Sequence, residues 1–321
     1  MRRKLLAVPL AVLAVVLAAC GSSPSGGNGA SGAPTGPPGT ALPTVTGAFG
    51  TKPTVSVPSS NPPAGLKATV LSQGAGPAVA KGQLVAINYL GEVWKSKKVF
   101  DTSFGAGRTA AAFPIGTGQV ITGFDNGIVG KAIGSRVLLV IPPADGYGKT
   151  GNTQIGITGT DTLVFVVDLL GAVSGNASAA GTPAPALGAS LPKVSTATGK
   201  PTIIVPKIAA PKTLVVKTII AGTGATVKSG DLLVVQYVGV KWATGTAFDS
   251  SWTRGTPAGF GIGVGQVIKG WDAGLVGRRI GDRVLLVVPP AYGYGAQGRS
   301  QAGISGTDTL VFAVDVIAVF H

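Results

Sequence analysis

Little in this 321-residue chain can make or break a covalent bond. Its one histidine is His321 and its one cysteine is Cys20, so a Ser-His-Asp or Cys-His arrangement has almost nothing to draw on. No His, Cys or carboxylate cluster has metal-ligand spacing, and no cofactor is implied. The glycines of Gly116-Thr117-Gly118 and Gly263-Val264-Gly265 invite a phosphate-loop reading. No Gly-Lys-Ser/Thr follows them and no dinucleotide unit surrounds them, which argues against it. What remains is aromatic: Tyr237, Phe248, Trp271, Tyr294 and Phe312, accompanied by Asp249, Val267 and Ile268. Such side chains offer apolar ring surface and, at tyrosine, a hydroxyl, rather than a nucleophile or a metal ligand.

These residues occur twice. Tyr89-Leu90-Gly91 returns as Tyr237-Val238-Gly239 and Phe100-Asp101-Thr102-Ser103 as Phe248-Asp249-Ser250-Ser251, 148 positions on. After one deletion the offset is 147, and Val120, Ile121, Tyr147 and Phe165 pair with Val267, Ile268, Tyr294 and Phe312. Phe124 stands where the second copy has Trp271. A repeat of this length is a duplicated domain, since solenoid units run roughly 20 to 50 residues. The chain length agrees with two domains.

The elements that position these residues are mostly strands. Leu84–Leu90, Val137–Ile141 and Leu163–Leu170 are β-branched runs, matched by Leu232–Val238, Val284–Val288 and Leu310–Ile317. One stretch per copy reads as helix, Gly123–Val129 and Gly270–Val276, with Trp271 and Leu275 four apart on one face. Pro142-Pro143 and Pro289-Pro290 stop a strand. The Pro-bounded segments Lys52–Pro58 and Lys200–Pro206 read as edge strands. The expected fold is α+β, two copies of an antiparallel half-barrel sheet wrapped around one short helix. The boundaries are 52–173 and 200–321, preceded by a flexible tether over 20–51 and joined by a linker over 174–199. As a coil, a linker of about 26 residues spans roughly 25 to 30 Å, which lets the domains tumble semi-independently.

Tyr237 in Val-Gln-Tyr-Val-Gly, Phe248-Asp249-Ser250-Ser251, Val267-Ile268-Lys269-Gly270-Trp271-Asp272, Pro289-Pro290-Ala291-Tyr292-Gly293-Tyr294-Gly295 and Thr309-Leu310-Val311-Phe312 together resemble the FKBP-type peptidyl-prolyl cis-trans isomerases. The resemblance implies a shallow pocket with Trp271 as floor, walls of Tyr237, Phe248 and Phe312, and an apolar rim of Val267, Ile268 and Ile304. It also implies a ligand bond from the Ile268 N–H, a Tyr294 hydroxyl for the substrate carbonyl, and Asp249 orienting polar groups, with Arg254 on the Asp. In the first copy it implies a further site of Tyr89, Phe100, Asp101, Val120, Ile121, Phe124, Tyr147, Ile157 and Phe165, with Arg108 near Asp101. Where the family has another aromatic two residues before Phe260 this chain has Ala258, implying a shallower pocket. Aromatic residues on strands are commonly core, and Asp249 suits a turn. Tyr294, in a Tyr-Gly-Tyr-Gly loop, is harder to read as packing alone. A proline-binding or chaperone module with little turnover is the alternative reading, above all for the copy with Phe124.

Residues 1–19 read as a signal peptide, with Arg2, Arg3 and Lys4 ahead of an apolar run. Leu17-Ala18-Ala19-Cys20-Gly21 resembles a bacterial lipobox, which implies acylation of Cys20 and a lipid-anchored protein on the extracytoplasmic side of the cell membrane. Of the formal charge of +14, Arg2, Arg3 and Lys4 lie in the leader and the remaining Lys and Arg are scattered without a basic stripe, so nucleic acid is not an expected partner. The expected partners are proline-containing exported polypeptides, and the default state is a monomer.

Overall fold

The computed structural model describes residues 41–321, so the expected signal peptide, Cys20 and the expected tether up to residue 40 lie outside the described residues. The first domain begins with a short hairpin of β1 (Thr44–Thr46) and β2 (Thr54–Ser56). Its main sheet consists of β3 (Lys67–Ser72), β4 (Leu84–Val93), β5 (Val99–Thr102), β6 (Ala111–Pro114), β7 (Arg136–Ile141) and β8 (Leu163–Val173), with α1 (Thr122–Ile128) between β6 and β7. All ladders are antiparallel in the order β3-β7-β8-β4-β5, and β6 takes the part of β4 that β5 leaves free.

The linker contributes β9 (Thr182–Pro183) and β10 (Lys193–Val194), the latter pairing with β11 (Ile203–Ile204). The second sheet follows as β12 (Val215–Ala221), β13 (Leu232–Lys241), β14 (Ala247–Ser250), β15 (Ala258–Gly261), β16 (Arg283–Val288) and β17 (Leu310–Phe320). A four-residue α2 (Ser251–Arg254) and a seven-residue α3 (Lys269–Leu275) complete it. The α+β half-barrel with one main helix per copy is therefore what the chain adopts. Among the described residues no helix is long and apolar enough to cross a membrane.

Each helix lies against its sheet at glycine distance. A Cβ on Gly270 would fall 2.7 Å from Val288 and one on Gly274 2.6 Å from Leu286, with Gly123 and Gly127 equally tight in the first copy. A Gly-x-x-x-Gly face permits this approach because it carries no side chain. The glycines that invited a phosphate-loop reading have another use. The backbone N–H groups of Gly263 and Gly265 donate to Asp272 on α3 at 2.7 and 2.9 Å, and those of Gly116 and Gly118 to Asp125, both at 2.7 Å.

The opposite face of each sheet is also covered. Val137–Ile141 and Val284–Val288 are buried throughout, as continuous apolar runs require when both faces are packed. The cover is the segment ahead of each domain. The expected edge strands at 52–58 and 200–206 do not join the main sheets. They form separate hairpins, β1-β2 and β10-β11, lying over the outer face. Arg136 forms a two-bond pair with Asp168 at 2.6 and 2.7 Å and donates to the carbonyls of Gly47 and Thr51. Arg283 pairs with Asp315 at 2.6 and 2.8 Å and holds the carbonyls of Ser195, Ala197 and Gly199. Trp94 and Trp242 add indole bonds to the carbonyls of Ser60 and Ile208.

Two expectations of mobility are corrected by this packing. Residues 41–51 of the tether supply β1 and the carbonyls held by Arg136. The linker is not a free coil: Ala179 is buried and donates to Asp315 at 3.0 Å, while β9 pairs with β12. The domains share an apolar contact through buried Leu84, Val173 and Val234, so they do not tumble separately, and the described residues 41–321 lie in one unit. Backbone bonds and a glycine-lined contact achieve this, and neither is visible in linker composition.

Removing one member of a buried ion pair strands the other at a cost of about 3 to 5 kcal/mol, whereas replacing both by apolar residues is far milder. The Arg283→Met variant should lose about that much unfolding free energy in denaturant. Arg283→Met with Asp315→Leu should recover most of it. A single variant as stable as the parent contradicts the clamp.

Candidate functional site

The concave side of the second sheet holds a box of rings. Tyr237 on β13, Phe260 on β15 and Phe312 on β17 surround Trp271 of α3, with centroids 5.2, 5.3 and 5.4 Å from it and planes at 88°, 83° and 86°. Phe248 on β14 stands edge-on to Phe312 at 5.6 Å. Edge-to-face packing sets the positive ring edge against the negative ring face, so the rings fix one another. Val267, Ile268, Ile304 and Tyr294 pack against the same cluster. Every candidate named for the second site is thus brought to one place, Asp249 included through its bond to Tyr237.

Local chemistry holds the walls. Ser251 accepts from the Tyr237 N–H at 2.8 Å and donates to Gln236, tying the Phe-Asp-Ser-Ser turn to β13. That places Asp249 where the Tyr237 hydroxyl donates to it and Arg254 forms an ion pair with it. Arg254 also donates to the Tyr237 oxygen at 2.9 Å, and its guanidinium lies 5.5 Å from the ring centroid. Burial pushes the Tyr237 phenol well above the ordinary range. The Asp249 bond and charge add to the rise, against Arg254. Tyr237 therefore keeps its proton, engaged in the hydrogen bond to Asp249, and is a wall.

Tyr294 differs. Its oxygen accepts from Arg299 at 3.3 Å, with that guanidinium 5.7 Å from its ring centroid, and the phenol proton has no acceptor among the described residues. It is a donor in waiting at the pocket edge. The Ile268 carbonyl accepts from the N–H groups of Trp271 and Asp272, while the Ile268 N–H likewise has no acceptor among the described residues. The Trp271 indole N–H is buried and unpartnered.

The first site repeats the plan with smaller parts. Phe124 lies 4.7 Å from Phe165 at 89°, Phe100 5.4 Å from Phe165, and Tyr89 6.3 Å from Phe165. Phe113 is 6.4 Å from Phe124, against 5.3 Å between Phe260 and Trp271, so the Phe floor is held more loosely on that side. Val120, Ile121, Ile157 and Tyr147 pack against this cluster. The Tyr89 hydroxyl donates to Asp101, and burial raises its pKa first, followed by Asp101, against Arg108. Arg108 reaches Asp101 only at 3.7 Å and spends a donor on the Thr102 carbonyl. Asp101 also accepts from the Thr102 N–H at 2.8 Å, so here the turn role and the site role belong to one carboxylate.

Phe113 and Phe260 went unnamed as site residues, although both copies carry an aromatic there and the repeat could have flagged them. Arg299 gave no such signal, since the first copy has Asn152 in its place. Ala258 packs beside the cluster without supplying a ring. Among the described residues no three His, Cys, Asp or Glu side chains gather as metal ligands.

Comparison with known proteins places this architecture. The FKBP-type peptidyl-prolyl cis-trans isomerase family matches residues 76–170 and 224–317. An FK506-binding protein of Streptomyces anulatus is 42% identical over 120 residues, which are 37% of this chain and 97% of that protein. FK506-binding protein 2 of Dictyostelium discoideum is 49% identical over 92 residues, 29% of this chain and 68% of that protein. Peptidyl-prolyl cis-trans isomerase FKBP9 of Rattus norvegicus is 34% identical over 223 residues, 70% of this chain but 32% of that longer protein.

The raised Tyr237 pKa means that folding disfavours its phenolate. Its contribution to stability is complete below the unfolded-state value near 10 and is lost as pH rises toward the folded value. In an alkaline absorbance titration, Tyr237→Phe should remove phenolate signal only above the ordinary phenol range. Loss of signal within that range contradicts the assignment.

Proposed function

The chain belongs to the FKBP-type peptidyl-prolyl cis-trans isomerase family, and on that premise we propose that it turns X-Pro bonds in exported polypeptides, with the second site as main catalyst. Rotation about a peptide bond faces a barrier of about 18 to 20 kcal/mol. At X-Pro bonds the isomers lie close in energy but exchange over roughly tens to hundreds of seconds. Twisting the bond localises the nitrogen lone pair and lowers the charge on the carbonyl oxygen, so the twisted form is less polar than the planar one. A dry box of rings then favours the twisted form, which is differential binding of the transition state.

The observation that carries this reading is the pair of donors left open at the rim. The Tyr294 hydroxyl and the Ile268 N–H are both without acceptors beside a floor of rings, and each suits a substrate carbonyl. Tyr237 is not available for that role, because its hydroxyl already donates its hydrogen bond to Asp249. The first site shares the box but has Phe124 as floor and a looser Asp–Arg pair. We assign it slower turnover and retention of proline segments. The location rests on sequence: the leader and the lipobox-like Leu17-Ala18-Ala19-Cys20 support attachment to the outer face of the cell membrane through acylated Cys20.

Because the Trp271 N–H has no partner, Trp271→Phe removes contact area without breaking a hydrogen bond. It should lower stability by about 1 to 2 kcal/mol for the smaller ring and lower kcat/KM for an X-Pro peptide to about one-fifth, the equivalent of roughly 1 kcal/mol. Unchanged activity would show that this pocket is not the main catalyst. In cells of the source organism, Cys20→Ala should move the protein from the membrane to the soluble fraction. Retention on the membrane contradicts the anchor.

A further inference from the structure

The two half-barrels meet through equivalent strands. Ala112 of β6 and Gly259 of β15 hold the same place in their copies, 147 positions apart, and a Cβ on Gly259 would fall 2.7 Å from that of Ala112. Beside them the Phe320 ring fills the space that a side chain at Gly171 would need, 2.2 Å from its Cβ position. An apolar contact built on close approach holds the domains in one arrangement. It also carries the loop before α3 of the second domain to the mouth of the first site.

There a cavity of about 190 Å³ is lined by Tyr89, Thr102, Ser103, Arg108 and Ala111 of the first domain and by Gln266 of the second. Tyr89 is a wall of the first aromatic box, and Arg108 stands next to the Asp101 that Tyr89 binds. Gln266 is anchored at one end, since its Oε1 accepts from the Gly261 N–H at 3.0 Å. Its Nε2 keeps two N–H donors with no acceptor among the described residues. The cavity adjoins the Tyr89 wall of the box, within reach of residues that flank a proline seated over Phe124.

We propose that Gln266 is a specificity-determining residue of the first site, donating from Nε2 to the backbone carbonyl of a substrate residue beside the proline, so that the first site is completed by the second domain. This rests on the reading that the first site takes proline segments. Polar groups in such a mouth select flanking residues more than they raise overall affinity.

The test uses the full chain and two extended X-Pro peptides, one with Lys and one with Glu next to the proline. Binding is read at the methyl NMR signals of Ile121 and Ile157, which belong to the first site alone. The Gln266→Glu variant keeps an acceptor for the Gly261 N–H and replaces the donors with a negative charge. It should shift the ratio of the two dissociation constants toward the Lys peptide by about five- to tenfold. Gln266→Ala should weaken both peptides by about fivefold, the loss of one hydrogen bond. Binding with an unchanged ratio in Gln266→Glu, in a chain that melts like the parent, overturns the role of Gln266. Failure of the parent chain to bind either peptide at those methyl groups sinks the reading of the first site itself, and this inference with it.

Discussion

The close approach of a seven-residue helix to a curled sheet is the constraint from which the site follows. With Gly270 and Gly274 flush against Val288 and Leu286, α3 has its sheet-facing side set by backbone alone. Trp271 then has one place to go, among Tyr237, Phe260 and Phe312, each contributed by a different strand. The first copy obeys the same rule with Gly123, Gly127 and Phe124. A side chain on either glycine face would lift the helix and part the floor from its walls. Asp272 and Asp125 extend the arrangement outward, holding the loops that lead to Ile268 and Ile121.

Covering the other sheet face is the second requirement, and it explains why the segments ahead of the domains are ordered. The sheet interiors are apolar on both sides, so a bare outer face would be exposed to water. The β1-β2 and β10-β11 hairpins lie over it, and a buried Arg–Asp pair fixes each by its backbone carbonyls. Both guanidinium and carboxylate find several partners there, which is the condition under which buried charge is tolerated.

Much of the fold was legible because its signals are side-chain signals. The main β-branched runs became strands, and Gly123–Val129 and Gly270–Val276 differ from the observed helices by one residue at each end. Ring positions kept in both copies, with the family resemblance, named most of each box but missed Phe113 and Phe260. What stayed hidden depends on backbone. The carbonyls of Gly47, Ser195, Ala197 and Gly199 bind arginine from stretches whose composition reads as coil, so the tether and linker seemed free. Val137–Ile141 did carry a clue, since an unbroken apolar run has no polar face to turn to water. Nothing in it says which segment supplies the cover. The contact of Ala112 with Gly259 has no periodicity at all, so the meeting of the two copies could not be read from either one.

The two sites ask how much catalysis a box of rings supplies when no group attacks the substrate. In this account the rings favour the twisted amide and the rim donors hold its carbonyl. The direct test is exchange NMR on an X-Pro peptide in excess over the full chain, reading peptide binding and the cis-trans exchange rate in one sample. The account predicts exchange well above the uncatalysed rate at substoichiometric protein. Binding of the peptide with exchange at the uncatalysed rate would contradict it.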